Sequence, residues 1–192
     1  RRRSADARLS PVLRTLSTTA VVLATALSLS WPLSVWWLQG PLGPWPLLLI
    51  GCGLIAWRLP QARGLAILAA LALLAVGLAV DAELGMRGYP VAVNAVLLAS
   101  FAASLWRGMP VIERLARLKE PDLPPAGVRY TRRVTQAWCL FFLINGGIAA
   151  WTAAFADLDV WTLYNGVISY GLIALMFTGE WLCRRRLRSS SS

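Results

Sequence analysis

The sequence predicts an all-α polytopic membrane protein: a bundle of about six transmembrane helices in one domain. Three observations predict it. The chain is 57% hydrophobic and only 15% charged, where an ordinary soluble domain carries about a quarter charged residues. The apolar residues fall in long blocks and do not alternate with polar ones, so a soluble core of this size has no room to hide them. The basic residues and tryptophans then gather at the ends of those blocks.

Six apolar segments stand out, at 15–38, 41–57, 65–80, 89–106, 136–156 and 160–183. A membrane span takes about 20 residues. The second and third segments are at or below that length and are the weakest as full spans. The first follows "RRRSADARLSPVLR", which resembles the start of a signal peptide. Its apolar run is longer than such a peptide's core and no A-x-A cleavage site follows, so a retained first helix is expected. The turn "WPLSVWWLQGPLGPWP" carries no charge. It is expected to ride along the membrane surface, with Pro32 bending the end of the first helix. The third segment, "LAILAALALLAVGLAV", is an Ala/Leu run whose small residues suit close packing or simple lipid contact.

With the N-terminus inside, six spans place 18 of the 19 basic residues on the cytoplasmic side, and only Arg87 outside. Asp81, Glu83, Asp157 and Asp159 fall in the outer loops. This is the positive-inside pattern, and it predicts cytoplasmic termini and a bacterial inner-membrane location. It also accounts for the net charge of +10, so nucleic acid is not an expected partner. The lipid bilayer is. Nine of the ten tryptophans lie near segment ends, where indole rings favour the interface.

The chain has no histidine and three scattered cysteines, Cys52, Cys139 and Cys183. That argues against a zinc site, a disulfide framework and His-dependent nucleophilic catalysis. No cofactor is expected. Tyr130, Tyr164, Tyr170 and Glu180 are capable of acid–base chemistry, but their spacing does not call for it. The sequence therefore leans away from an enzyme.

The sizeable loop runs over 107–135. Within it, Val111, Ile112, Leu115 and Leu118 share one helical face, with Arg114, Arg117 and Lys119 toward the other, as in a short interfacial helix. Three prolines follow, then "RYTRRVT". Arg129, Tyr130, Arg132 and Arg133, with Arg114 and Arg117, form a candidate binding group. It reads either as a topology anchor that attracts anionic lipid headgroups or as a rim for an acidic partner, since guanidinium forks bind carboxylates and phosphates.

Inside the spans, Asn145, Asn165, Tyr164 and Glu180 are the candidate intramembrane polar residues, with Asn94 in the fourth segment. An unpaired amide in hydrocarbon is costly. Each asparagine is therefore expected to face another helix, beside glycines that allow close approach. Glu180 pairs at i,i+4 with Arg184 or serves a functional role.

The stretches "ERLARLKEPDLPPAGVRYTRRVTQAWCLFFLINGGIAAW" and "WTLYNGVISYGLIALMFTGEWLCRRR" resemble a family of uncharacterised proteobacterial inner-membrane proteins. That family is encoded beside fatty-acid-synthase-like genes of aryl polyene (xanthomonadin-type) pigment biosynthesis. The likeness covers about the last 85 residues. Its characteristic positions fall on Arg129, Tyr130, Arg132, Arg133, Trp138, Asn145, Gly146, Tyr164, Asn165, Gly166, Glu180 and Trp181. A fainter similarity runs to intracellular septation proteins. The resemblance implies a non-enzymatic accessory protein of an acyl or polyene lipid pathway, with an acidic acyl carrier protein as a candidate partner. A small transporter or flippase and a structural or division-associated protein are the alternatives.

Overall fold

A computed structural model describes residue 26 and residues 30–58 and 62–189. The described residues are helical and contain no strand. The expected first segment falls largely outside them. What is described begins with α1, Trp31–Leu42, and α2, Pro44–Arg58.

The first expected boundary moves. Residues 39–42 continue α1, and the break falls at Gly43, whose φ of 73° suits a residue without a Cβ. Pro32 sits in the first turn of α1, where a missing N–H costs no helical bond. The expected first helix, whose end Pro32 would bend, lies largely outside the described residues.

Helix α2 and the next helix, α3 (Arg63–Ala79), pack along each other. Ala66, Ala70, Leu73 and Gly77 are the buried face of α3, at the three- and four-residue spacing of a helical stripe. At 15 and 17 residues, both helices fall short of the roughly 30 Å hydrocarbon core.

The fourth expected segment, 89–106, has a longer beginning. Asp81 Oδ2 accepts from the backbone N–H of Glu83 (2.9 Å) and Leu84 (3.1 Å), and so starts α4, Ala82–Arg87. Helix α5, Tyr89–Trp106, follows at once, with Pro90 at the break. Helical bonds from Gly88 to Leu84 and from Ala92 to Gly88 carry the backbone across it.

After α5 comes α6, Val111–Arg117, a helix of seven residues. The packed side of α6 differs from expectation. Glu113 is buried and bonds Arg117, and Ile112 joins the core, while Leu115 and Leu118 are 55% and 81% exposed. The expected loop 107–135 is also shorter. Helix α7, Pro125–Phe155, already begins at the last of the three prolines, which is placed where a helix tolerates proline. Arg129, Tyr130, Arg132 and Arg133 therefore ride on a helix, not in a loop. At 31 residues, α7 is about 46 Å long and exceeds a membrane core by several turns.

The last described residues form α8 (Leu158–Leu163), a π-helical turn (Tyr164–Ile168) and α9 (Ser169–Ser189), which make one continuous rod. Among the described residues, three stretches are long and apolar enough to cross a membrane: Tyr89–Trp106, Pro125–Phe155 and Leu158–Arg185. Large apolar side chains such as Leu140, Leu143, Leu175 and Phe177 point outward from them. Such an apolar outer surface supports membrane association.

One end of the bundle is basic. Arg132 donates to the Leu105 carbonyl (3.2 Å), and the Tyr130 hydroxyl donates to the Glu180 carbonyl (3.2 Å). These bonds bring the C-termini of α5 and α9 to the N-terminal turns of α7. The other end is acidic and holds Arg87. Arg87 pairs with Glu83 and donates to the Ala156 carbonyl (2.9 Å) at the C-terminus of α7. A cation is favoured there by the unpaired carbonyls of a helix end. Arg87 thus has a structural task at this end.

Candidate functional site

The polar residues of the spans converge where α5, α7 and the π turn meet. The Tyr164 hydroxyl donates to Asn145 Oδ1 (3.0 Å), and Asn145 Nδ2 donates to Asn94 Oδ1 (3.2 Å). Asn94 Nδ2 then donates to the Pro90 carbonyl (2.8 Å). One chain of bonds crosses three elements. Next to it, Asn165 Nδ2 donates to Thr152 Oγ1 (3.1 Å) and to the Trp161 carbonyl (2.9 Å). Asn145 and Asn165 are 3% and 4% exposed, so both amides sit in the interior, where an unpaired polar group is expensive.

Local structure explains how the residues reach each other. A Cβ placed on Gly146 would lie 3.0 Å from Asn94 Cβ. Glycine there lets α5 press close against α7, where a Cβ would require Asn94 to give way by a few tenths of an ångström. Gly147 faces open space, so one glycine of the pair does this work. The π turn closes with the Ser169 N–H on the Tyr164 carbonyl. Its extra residue lets two consecutive side chains, Tyr164 and Asn165, both bond α7. Such single turns often mark functional positions within helices.

Two hollows flank Asn145. An apolar cleft of about 350 Å³ lies between α7 and α9, walled by Phe141, Ile144, Ile148, Leu172, Leu175 and Met176, with Asn145 and Tyr164 as its polar residues. An inner pocket of about 140 Å³ is lined in part by Tyr89, Asn94, Asn145, Asn165, Ser169 and Tyr170. Neither lining includes a charged residue. The Tyr89 hydroxyl and Asn165 Oδ1 are buried with no hydrogen-bond partner among the described residues.

Glu180 stands apart. It pairs with Arg184 one turn on, and it lies 15 residues beyond Asn165, about 22 Å along a helix. At the basic end, Arg114, Arg129, Arg132 and Arg133 are exposed. Arg129 and Arg133 make no hydrogen bond or ion pair with the described residues. Arg114 donates to the Met109 carbonyl and Arg132 to Leu105. Arg117 holds Glu113 and the Pro121 carbonyl, so its fork is spent inside the fold.

Thr152 and Tyr89 are site residues that the sequence reading passed over. Thr152 had a signal, since it lies seven residues after Asn145 and so on the same helical face. Tyr89 had none, because its position depends on where α4 hands over to α5. Among the described residues, no three metal-ligating side chains converge. Comparison of the chain with protein-family models, curated proteins and solved structures finds no match to any of them.

Proposed function

We propose that this chain is a six-span protein of a bacterial inner membrane, with both termini cytoplasmic, that holds an acyl or polyene chain without transforming it. The observation that carries the reading is the cleft between α7 and α9. Its walls are apolar, its volume is at the lower end for a small-molecule site, and it has one polar edge. That suits a hydrocarbon chain entering from the bilayer. The family resemblance of the last 85 residues adds the pathway: an accessory role in acyl or aryl-polyene lipid synthesis. The distribution of arginines supports the orientation.

Photolabelling tests the holding role. A long-chain alkane carrying a diazirine should label Ile148 and Met176 in nanodiscs well above Leu140, an exposed residue of α7 outside the cleft. Equal labelling of all three means that the cleft is ordinary lipid contact. Reporter fusions test the topology. Fusions after Arg63 and Lys119 should read cytoplasm, and fusions after Gly85 and Asp157 periplasm. A periplasmic reading at Lys119 breaks the six-span arrangement.

A second reading has its own observation. Cleft and inner pocket meet at Asn145, as a polar path for a lipid flippase would. Product that accumulates in the inner leaflet of a deletion strain favours this transporter. Product that is never made favours the accessory role.

The exposed Arg129 and Arg133 are proposed to engage anionic headgroups or an acidic acyl carrier protein, through contacts that weaken with salt. Replacing both with Gln should abolish salt-sensitive binding in neutral nanodiscs if the partner is the carrier protein. Binding that survives the change assigns these residues to anchoring.

A further inference from the structure

We infer that the guest of the cleft is a single-chain amphiphile with an anionic head, and that Arg133, with Arg129 one turn before it, binds that head at the basic end. The inference rests on the holding role proposed above and adds the head chemistry and the orientation of the guest.

The cleft itself takes no charge. None of its lining residues is charged, and a bare ion in an apolar site is expensive. A charged head therefore lies outside it, toward one end of the bundle. The acidic end opposes an anion. Asp157 and Asp159 stand at the start of the last rod, and Arg87 is held there by Glu83 and the Ala156 carbonyl. The basic end favours one. Of the three arginines of α7, Arg132 is spent on the Leu105 carbonyl. Arg129 and Arg133 are exposed and bond nothing among the described residues. At this i,i+4 spacing their Cβ atoms are about 5–6 Å apart, so two guanidinium forks can converge on one carboxylate.

Both helices lead from the cleft to these arginines. On α7, Ile144 of the cleft wall follows Arg133 by 11 residues, three turns. It shares the arginine's face about 16 Å along the axis. Between them on that face Ala137 is exposed and small. On α9, Gly179 continues the face of Leu175 and Met176 by four- and three-residue steps. A Cβ there would meet nothing within 4 Å. Two contacts set its height: Tyr130 reaches Glu180, and Trp138 meets Phe177. Gly179 falls between these supports, level with Arg133.

Depth agrees. Arg133 and Trp151 are exposed on one face of α7, 18 residues apart, which is about 27 Å and close to the ~30 Å hydrocarbon core. An indole suits one interface and a snorkelling guanidinium the other. The cleft residues of α7 lie between the two. At about 350 Å³, near the lower end for a small-molecule site, the cleft suits one chain and not the two of a phospholipid.

The experiment uses the full chain in neutral-lipid nanodiscs and three diazirine probes of equal tail length: a long-chain carboxylic acid, ionised at the working pH, its methyl ester and the headless alkane. Labelling of Ile148 and Met176 is taken relative to Leu140 for each probe, which removes differences in partitioning. The acid should exceed the ester about two- to fivefold at low salt, the worth of an exposed ion pair, and the excess should shrink as salt rises. Arg133→Gln should bring the acid to the ester level and leave ester and alkane unchanged, which also reports an intact cleft. Lys119→Gln removes the same charge elsewhere in the 107–135 region and should leave the excess in place. An equal loss from Lys119→Gln overturns the inference, because the acid then senses only the general positive surface. Equal labelling by acid and ester in the wild type also overturns it and leaves Arg129 and Arg133 to bilayer headgroups, while the holding role stands. Failure of all three probes to label the cleft above Leu140 overturns both.

Discussion

Helix α7 meets α5 on one side and α9 on another, and the two seams use different side chains. Against α5 the backbones come close. Gly146 receives Asn94, Phe101 meets the edge of Phe142 at 5.2 Å between centroids, and an amide pair bridges the helices. Against α9 the backbone stands off beyond the π turn, and long side chains span the gap. Trp138 meets Phe177 in a tilted ring contact at 4.9 Å between centroids, and Tyr130 reaches a carbonyl near the basic end. Between those two supports and the π turn lies the cleft. One seam is closed by small and amide residues. The other is held at its two ends and left open between. Without a hydrophobic force between helices in lipid, close packing and polar bonds are what hold a seam shut. A seam that lacks them in its middle leaves room for a guest.

The largest effect should come from filling the closed seam. Gly146→Leu puts a side chain against Asn94 and should lower stability by about 2–3 kcal/mol, as overpacking does, read from thermal unfolding in detergent. Gly147→Ala, into open space, should leave stability unchanged or raise it slightly. Similar losses from both would mean that the close approach of α5 to α7 does not matter.

Next comes the amide bridge. Asn145→Leu strips a partner from both Asn94 and Tyr164 and should cost about 1–2 kcal/mol. A double-mutant cycle with Asn94→Leu should show coupling. Strict additivity would separate the two residues energetically.

The smallest change belongs to the open seam. Leu175 is 68% exposed on the cleft wall. Leu175→Ala should shift stability by no more than about 0.5 kcal/mol, yet it should reduce photolabelling of the cleft by the alkane probe. A large loss of stability would make the cleft a packed interface.

Several features were legible in the chain before any packing was known. The Asn-Gly-Gly of α7 and the Tyr-Asn-Gly of the last rod stand out because polar groups in apolar runs need partners. The i,i+4 pair of Glu180 and Arg184 follows from helical spacing alone. Other features were not legible. That Gly146 and not Gly147 meets α5 depends on the rotation of α7 about its axis, which an isolated helix leaves free. The π turn, the handover from α4 to α5 at Pro90 and the inward face of Glu113 likewise depend on what lies opposite.

By itself the sequence determined the helical class, the apolar stretches, the gathering of arginine at one set of helix ends and the need of Asn145 and Asn165 for partners. Composition and one-dimensional spacing set these, because each concerns a residue and its solvent or its own helix. Only the tertiary structure decided that Asn145 bonds Asn94 across 51 residues, that Arg87 caps the carbonyl end of α7, and that α7 and α9 part to leave a cleft. Those outcomes depend on which helix faces meet, and spacing along a single chain does not carry that information.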